Sequence, residues 1–159
     1  MASIEQEIGQ LLKAKKLALG TVESATGGLI SARITSVAGS SDYYMGSVIS
    51  YSNEIKVNVV GVKEETLRKY GAVSHEVARE MAEGGGNLLN VDICISDTGI
   101  AGPGGASPGK PVGLFYIGLS QRGGTFSREY LFRGDRGENR AQAADAALNW
   151  LKEYLLSLK

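Results

Sequence analysis

Apolar positions along the chain switch between helical and strand-like spacing, and the switches set out an alternating order of elements. Ile4, Ile8, Leu11 and Leu12 share one face at helical spacing, which predicts a first amphipathic helix over residues 3–16. Leu17–Val22 is a short apolar run containing Thr and Val, a strand signal. Leu29, Ile30, Ile34 and Val37 return to helical spacing and predict a helix over 27–37, followed by the small polar turn Ala38–Asp42. Ser47–Tyr51 reads as a strand. Asn53 then supplies an N-cap with Glu54 in the first turn, which places Lys56 within one turn of a helix start and close to Tyr51. Val62–Tyr70 predicts a short helix ending at Gly71, and Ser74 opens a longer one to Leu89 with Val77, Met81 and Leu88 on its apolar face. Gly84-Gly85-Gly86 weakens that helix by about 1 kcal/mol per glycine relative to alanine, and marks the place for a kink or break.

Val91–Ser96 has the composition of a central strand and runs into the loop Asp97–Gly105. Val112–Ser120 and Phe126–Phe132 predict two further strands joined by the turn Gln121–Gly124. Asp135 and Glu138 form a capping-box pattern ahead of a last helix that turns Ala141, Ala144, Leu148, Leu151 and Leu155 inward. The order predicts one three-layer α/β/α domain over residues 1–159, with a mixed sheet of about five strands because the hairpin must be antiparallel.

Charge and cysteine content narrow the function classes. The 159 residues carry 17 basic and 17 acidic side chains, so no electrostatic footprint for nucleic acid or an anionic membrane is visible. No run is long and apolar enough to span a bilayer, and the first residues lack the pattern of a secretory signal. The single cysteine, Cys94, lies in an apolar run and reads as a small buried hydrophobe. A cytoplasmic protein is expected.

In an open α/β sheet, ligands gather where strands end. Three loops fit that description, those after Val22, Tyr51 and Ser96. In the first, Ser24 and Thr26 stand where a strand meets a helix, suited either to capping the helix or to chemistry beside its free N–H groups. The third, Gly99–Gly109, is neither a dinucleotide fingerprint nor a Walker loop, since prolines interrupt it and a strand follows instead of a helix. Its glycines suit either a plain surface loop or a cradle of backbone N–H groups for a phosphate. The one histidine, His75, follows a helix cap, which argues against a Ser-His-Asp triad. Lys56 is the best-placed substitute base for Ser24, provided that its surroundings keep it neutral. One histidine, one apolar-flanked cysteine and no close carboxylate cluster give no metal site to expect.

Glu23-Ser24-Ala25-Thr26-Gly27-Gly28, Ala38–Ser41, Tyr51–Lys56, Gly71–Ser74, Gly99–Gly105, Lys110–Gly113 and Phe132–Arg136 occur in one order across nearly the whole chain. With these motifs the sequence resembles the CinA C-terminal domain family, the nicotinamide-nucleotide amidohydrolases. The resemblance implies metal-free and cofactor-free hydrolysis of the carboxamide of nicotinamide mononucleotide, giving nicotinic acid mononucleotide and ammonia. It implies Ser24 as nucleophile and Lys56 as general base, with Tyr51 and Ser41 assisting by hydrogen bonding. Arg136, or alternatively Arg140, would contact the substrate. Backbone N–H groups near Thr26 and Gly27 would hold the oxyanion; that Thr98, Gly99, Gly102 and Gly104 bind the substrate is expected on physical grounds, from the cradle of N–H groups that a glycine-rich loop offers a phosphate. Ala25 stands where the family commonly has cysteine, and Thr98 where it has serine. Many relatives carry a separate N-terminal nucleotide-handling domain, with no counterpart in these residues. A homodimer is expected, and so are a small-molecule nucleotide partner and no nucleic acid. The rival reading is a non-catalytic nucleotide-binding module of a competence- or damage-related assembly.

Overall fold

The computed structural model describes all 159 residues. Six helices and five strands follow one another as α1 (Ile4–Lys15), β1 (Leu19–Glu23), α2 (Leu29–Thr35), β2 (Tyr44–Ile49), α3 (Asn53–Ile55), α4 (Glu64–Tyr70), α5 (His75–Leu89), β3 (Ile93–Gly99), β4 (Leu114–Gln121), β5 (Gly124–Leu131) and α6 (Arg136–Ser157). The strands form one sheet in the order β2-β1-β3-β4-β5. β1 runs parallel to β2 and β3, whereas β3/β4 and β4/β5 are antiparallel, so the sheet is mixed as the hairpin required. The hairpin turn is two residues, with Gln121 facing Gly124. α6 begins with the expected capping box, Asp135 and Glu138 each accepting the other's backbone N–H.

Burial alternates across the sheet as the period-two geometry demands. Leu19, Ile93, Ile95, Ile117 and Leu119 pack under α1, α2 and α6 against Ile8, Leu12, Ile30, Leu148 and Leu151. Val22 and Cys94 face the other way, against Val77 and Met81 of α5, and Val60 and Val62 complete that core. Cys94 is thus the buried hydrophobe expected. Two inward assignments fail: Ala141 is exposed, with Ala143 and Ala147 taking its place, and Leu88 near the end of α5 is 53% exposed. β2 begins three residues before the predicted strand and ends before Tyr51. The cap of α3 is Ser52, whose hydroxyl accepts the Ile55 N–H, so Asn53 is the first helical residue and not the cap.

The glycine triplet neither kinks nor breaks α5, which runs unbroken from His75 to Leu89. Two of its members instead let the helix sink onto its neighbours. A Cβ on Gly84 would overlap the Val60 carbonyl, and one on Gly85 would overlap Val22 and come within 2.9 Å of the Cys94 sulfur. On the opposing surface, a Cβ on Gly118 of β4 would overlap the Ala78 carbonyl. The propensity penalty is offset by close helix–sheet packing, a tertiary effect that local sequence does not register.

Parallel pairing of β1 with β2 and β3 carries the ends of all three strands to one edge of the sheet. The chain leaves β1 in one direction to form β2 and later returns to β1's other side as β3, a topological switch point where α/β folds open a crevice. No helix is long and apolar enough to cross a membrane.

Gly85 and Gly86 separate packing from propensity. Gly85→Ala is expected to lower stability by about 1–3 kcal/mol through overpacking, partly offset by alanine's better helix propensity. Gly86→Ala would place its Cβ in ordinary contact, 3.6 Å from Cys94 Cβ, and is expected to raise stability by up to about 1 kcal/mol. Thermal denaturation should therefore move in opposite directions for adjacent glycines.

Candidate functional site

Ser24 is the first residue beyond β1, and the chain turns sharply through Ala25–Gly28 before α2 starts. What holds that turn is a pair of buried carboxylates. Glu23, the last residue of β1, accepts the N–H groups of Gly28, Ile30 and Ser31 at 2.9–3.0 Å, and so caps α2 from the sheet. Neither Ser24 nor Thr26 caps the helix. Asp97 of β3 reaches across and accepts the N–H of Ser24 at 3.2 Å and of Thr26 at 3.1 Å. The Thr26 hydroxyl stands between the two acids, 2.8 Å from Glu23 Oε1 and in short contact with Asp97 Oδ2. Burial raises Asp97 to about 6, the Thr26 hydroxyl opposes that rise, and the nearby Glu23 adds to it.

Lys56 enters from the other side. After β2 the chain makes the single turn α3 and passes into a π-helical turn, Lys56–Val60, that brings the lysine side chain back under the strand ends. Single π turns of this kind are frequent at functional sites. Lys56 is only 2% exposed, and its Nζ lies 3.0 Å from Ser24 Oγ, 2.8 Å from the Ser50 carbonyl and 3.1 Å from the Tyr51 carbonyl. Burial lowers its pKa to about 8, with Asp97 opposing the fall. The two carbonyls accept the two hydrogens that a neutral amine retains, leaving its lone pair for the Ser24 hydroxyl. The arrangement is thus a serine hydroxyl hydrogen-bonded to an amine whose pKa burial has lowered to about 8.

Ser24 and Lys56 open into a cavity of about 340 Å³, within the range of small-molecule sites. Tyr51, Thr98, Gly99, Gly102, Gly104 and Arg136 line it, as do Ala25, Asn53, Ala72 and Val73. The loop after β3 is anchored by α6: Asn139 donates to the Ala101 carbonyl at 2.9 Å, and Arg136 to the Gly102 carbonyl at 2.8 Å. Thr98 spends its hydroxyl on the Ala72 carbonyl, tying the Gly71–Ser74 loop to the cavity wall.

Four expected site residues lie elsewhere. Ser41 is exposed in a 3₁₀ turn ahead of β2, and parallel pairing puts that end of β2 beside the start of β1, at the opposite edge of the sheet from Ser24. Thr26 is completely buried and serves Asp97 and Glu23, so it has no face toward a ligand. Gly27 spends its N–H on the Ser24 carbonyl and lies under Arg140. Arg140 donates to the carbonyls of Ala25 and Thr26, both at 3.0 Å, bracing the turn from behind. Of the two arginines, only Arg136 lines the cavity. With the N–H groups of Thr26 and Gly27 engaged, the free donor beside Ser24 is Ala25 N–H. Tyr51 is 63% exposed, and its hydroxyl lies 3.4 Å from Arg136 and not on Ser24; its carbonyl is what touches Lys56. His75 pairs with Ser127 across α5 and β5.

Glu23 stands in the first motif quoted above and Asp97 heads the glycine-rich segment, yet the sequence assigns no role to either, nor to Asn139. Each is a buried polar residue whose partners come from other strands or helices, and the only local signal is a carboxylate closing an apolar strand.

Comparison with known proteins agrees with this architecture. The family model of the CinA C-terminal domain matches residues 1–155. A CinA-like protein of Sulfurihydrogenibium sp. is 46% identical over 154 residues, covering 97% of this chain and 38% of that protein. A CinA-like protein of Kosmotoga olearia is 47% identical over 156 residues, covering 98% of this chain and again 38% of the relative. The chain therefore spans well under half the length of these relatives. Among solved structures, competence damage-inducible protein A from Klebsiella pneumoniae superimposes with a TM-score of 0.95 at 35% identity, over 98% of this chain and 97% of that one. Competence/damage inducible protein CihA from Agrobacterium tumefaciens gives 0.90 at 34% identity, over 99% and 100%. The family model covers nearly every residue and the solved relatives share the fold over almost the whole chain, and the chain belongs to the CinA C-terminal domain family.

Proposed function

We propose that this domain is an amidohydrolase that cleaves the carboxamide of nicotinamide mononucleotide through a Ser24 nucleophile and a Lys56 base. The observation that carries the reading is the 3.0 Å contact between Lys56 Nζ and Ser24 Oγ, made by a lysine 2% exposed. The sequence's resemblance to the nicotinamide-nucleotide amidohydrolases, carried by the motifs quoted above, supports the substrate. Ser24 Oγ adds to the amide carbon as its proton passes to Lys56 Nζ. The Ala25 N–H is placed to stabilise the resulting oxyanion. The Lys56 ammonium then protonates the departing nitrogen, which leaves as ammonia with the acyl group on Ser24. Water, deprotonated by the now neutral Lys56, cleaves that ester and restores the hydroxyl. Arg136 and the Gly99–Gly105 loop face the rest of the substrate, the arginine offering charge to the phosphate.

Ammonia release from nicotinamide mononucleotide, compared with nicotinamide and its riboside, tests the reading directly. Release is expected to be fastest with the mononucleotide and to be lost in Ser24→Ala. Tight binding without turnover would replace the amidase with a nucleotide-binding module, and undiminished turnover by folded Ser24→Ala would remove the mechanism.

The lysine sets the pH dependence. Because the neutral amine is the base, kcat/KM should rise about tenfold per pH unit below the Lys56 midpoint of about 8, then level off.

Lys56→Met is expected to be inactive, with a stability signature of its own. Folding lowers this pKa from 10.5 to about 8, so between those values the unfolded chain holds the extra proton and wild-type stability rises with pH. The variant lacks that rise. Its Tm relative to wild type should therefore fall between pH 8 and 10.5, and a constant difference would show that Lys56 is not charged by preference in the unfolded chain alone.

A further inference from the structure

We propose that Asp97 is the positioning residue of this site, a fully buried carboxylate that grips the backbone of the nucleophile turn and sets its negative charge against the cation formed when Lys56 takes the serine proton. The inference rests on the amidase reading and extends it to a residue outside the cavity lining.

Geometry gives Asp97 two tasks at once. Its Oδ2 accepts from Ser24 N and its Oδ1 from Thr26 N, so one rigid group on β3 fixes the backbone on both sides of Ala25. Those bonds orient Ser24 Oγ and leave the Ala25 N–H free of an internal acceptor. Ser24 also links the two charges, with Asp97 3.2 Å from its nitrogen and Lys56 3.0 Å from its hydroxyl. In the proton transfer the hydrogen passes from Ser24 Oγ to Lys56 Nζ, the serine oxygen bonds to carbon, and Asp97 neither gains nor loses a proton. A buried anion beside that step favours the ammonium, since opposite charges interact strongly where water is excluded.

The other charged groups around Asp97 are accounted for. Glu23 on β1 touches the same Thr26 hydroxyl and opposes ionisation of Asp97, while its own charge is held by three α2 N–H groups. Arg140 on α6 is bonded to the Ala25 and Thr26 carbonyls. The register partner of Asp97 on β4 is the apolar Ile117. Tyr44 on β2 meets Ser31 and Thr21 beyond Glu23.

Two titrations of the whole chain, read from the ¹³Cε resonance of Lys56, test the proposal without any substrate. In Asp97→Asn the Lys56 midpoint is expected to move to lower pH, because the anion that favours its proton is gone. In the same variant kcat should fall by about tenfold or more with little change in KM, the loss expected when a hydrogen bond to a charged group is made neutral. An unmoved midpoint overturns the proposal whatever happens to kcat. Should Asp97→Asn fail to fold, wild type still decides: its Lys56 resonance is expected to show a second inflection on the acid side as Asp97 is protonated, and a resonance that follows the lysine's own titration alone down to acid unfolding overturns the proposal. Because neither titration involves turnover, failure to hydrolyse the mononucleotide would leave this coupling standing, and an uncoupled lysine would leave the amidase reading standing.

Discussion

A lysine amine held out of water is the constraint on which the site depends. Taking an ammonium from water into a protein interior is unfavourable, and the shift of Lys56 from 10.5 to about 8 corresponds to on the order of 3 kcal/mol in favour of the neutral amine. The fold meets that demand with three oxygen atoms in hydrogen-bond reach of Nζ, two of them carbonyls left unpaired where β2 has ended. Had β2 continued past Ile49, its ladder with β1 would engage the Ser50 carbonyl, because Ser50 N–H already bonds the Glu23 carbonyl and the carbonyl of the same residue points the same way. The end of the strand and the π turn that follows are therefore parts of one device, and Val60 and Val62, just beyond Lys56, pin that device into the core under α5.

Two carboxylates complete the electrostatics, with different tasks. Glu23 takes the first N–H groups of α2, so the positive end of that helix is spent inside the protein and is not open to a ligand. The simplest picture of a serine at a helix start, with the helix terminus as oxyanion hole, does not describe this chain. Asp97 instead holds the turn so that one N–H, that of Ala25, stays available.

Strand ends were legible only to within a few residues: the apolar runs give out at Val22, Tyr51 and Ser96, whereas the strands end at Glu23, Ile49 and Gly99. Legibility stopped where partners lie far apart in sequence. Ser41 belongs to a family motif, yet register places it at the opposite edge of the sheet from Ser24, a fact no local pattern contains. Arg136 and Arg140 stand one helical turn apart with the same chemistry, and only the packing of α6 shows one facing the cavity and the other bracing the turn. Thr26 looked like a cap or a ligand contact because hydroxyls near helix starts often are; its complete burial between two acids is a tertiary outcome. The glycines of α5 misled for the same reason, since a kink and a close contact have the same composition.

The direction in which Lys56 points bears on the choice between hydrolysis and simple binding. A module built to hold a nucleotide gains most from a lysine whose ammonium reaches the phosphate, strongly hydrated and flexible until the ligand arrives. Here the amine is turned inward, bonded to a serine and two carbonyls, and kept from full protonation by burial, which makes it a weak anchor for an anion. Arg136, whose guanidinium stands at the cavity wall, is the better anchor. Burying a lysine against a serine weakens binding and favours proton transfer, so the same arrangement that would be a liability in a binding module is useful in a hydrolase.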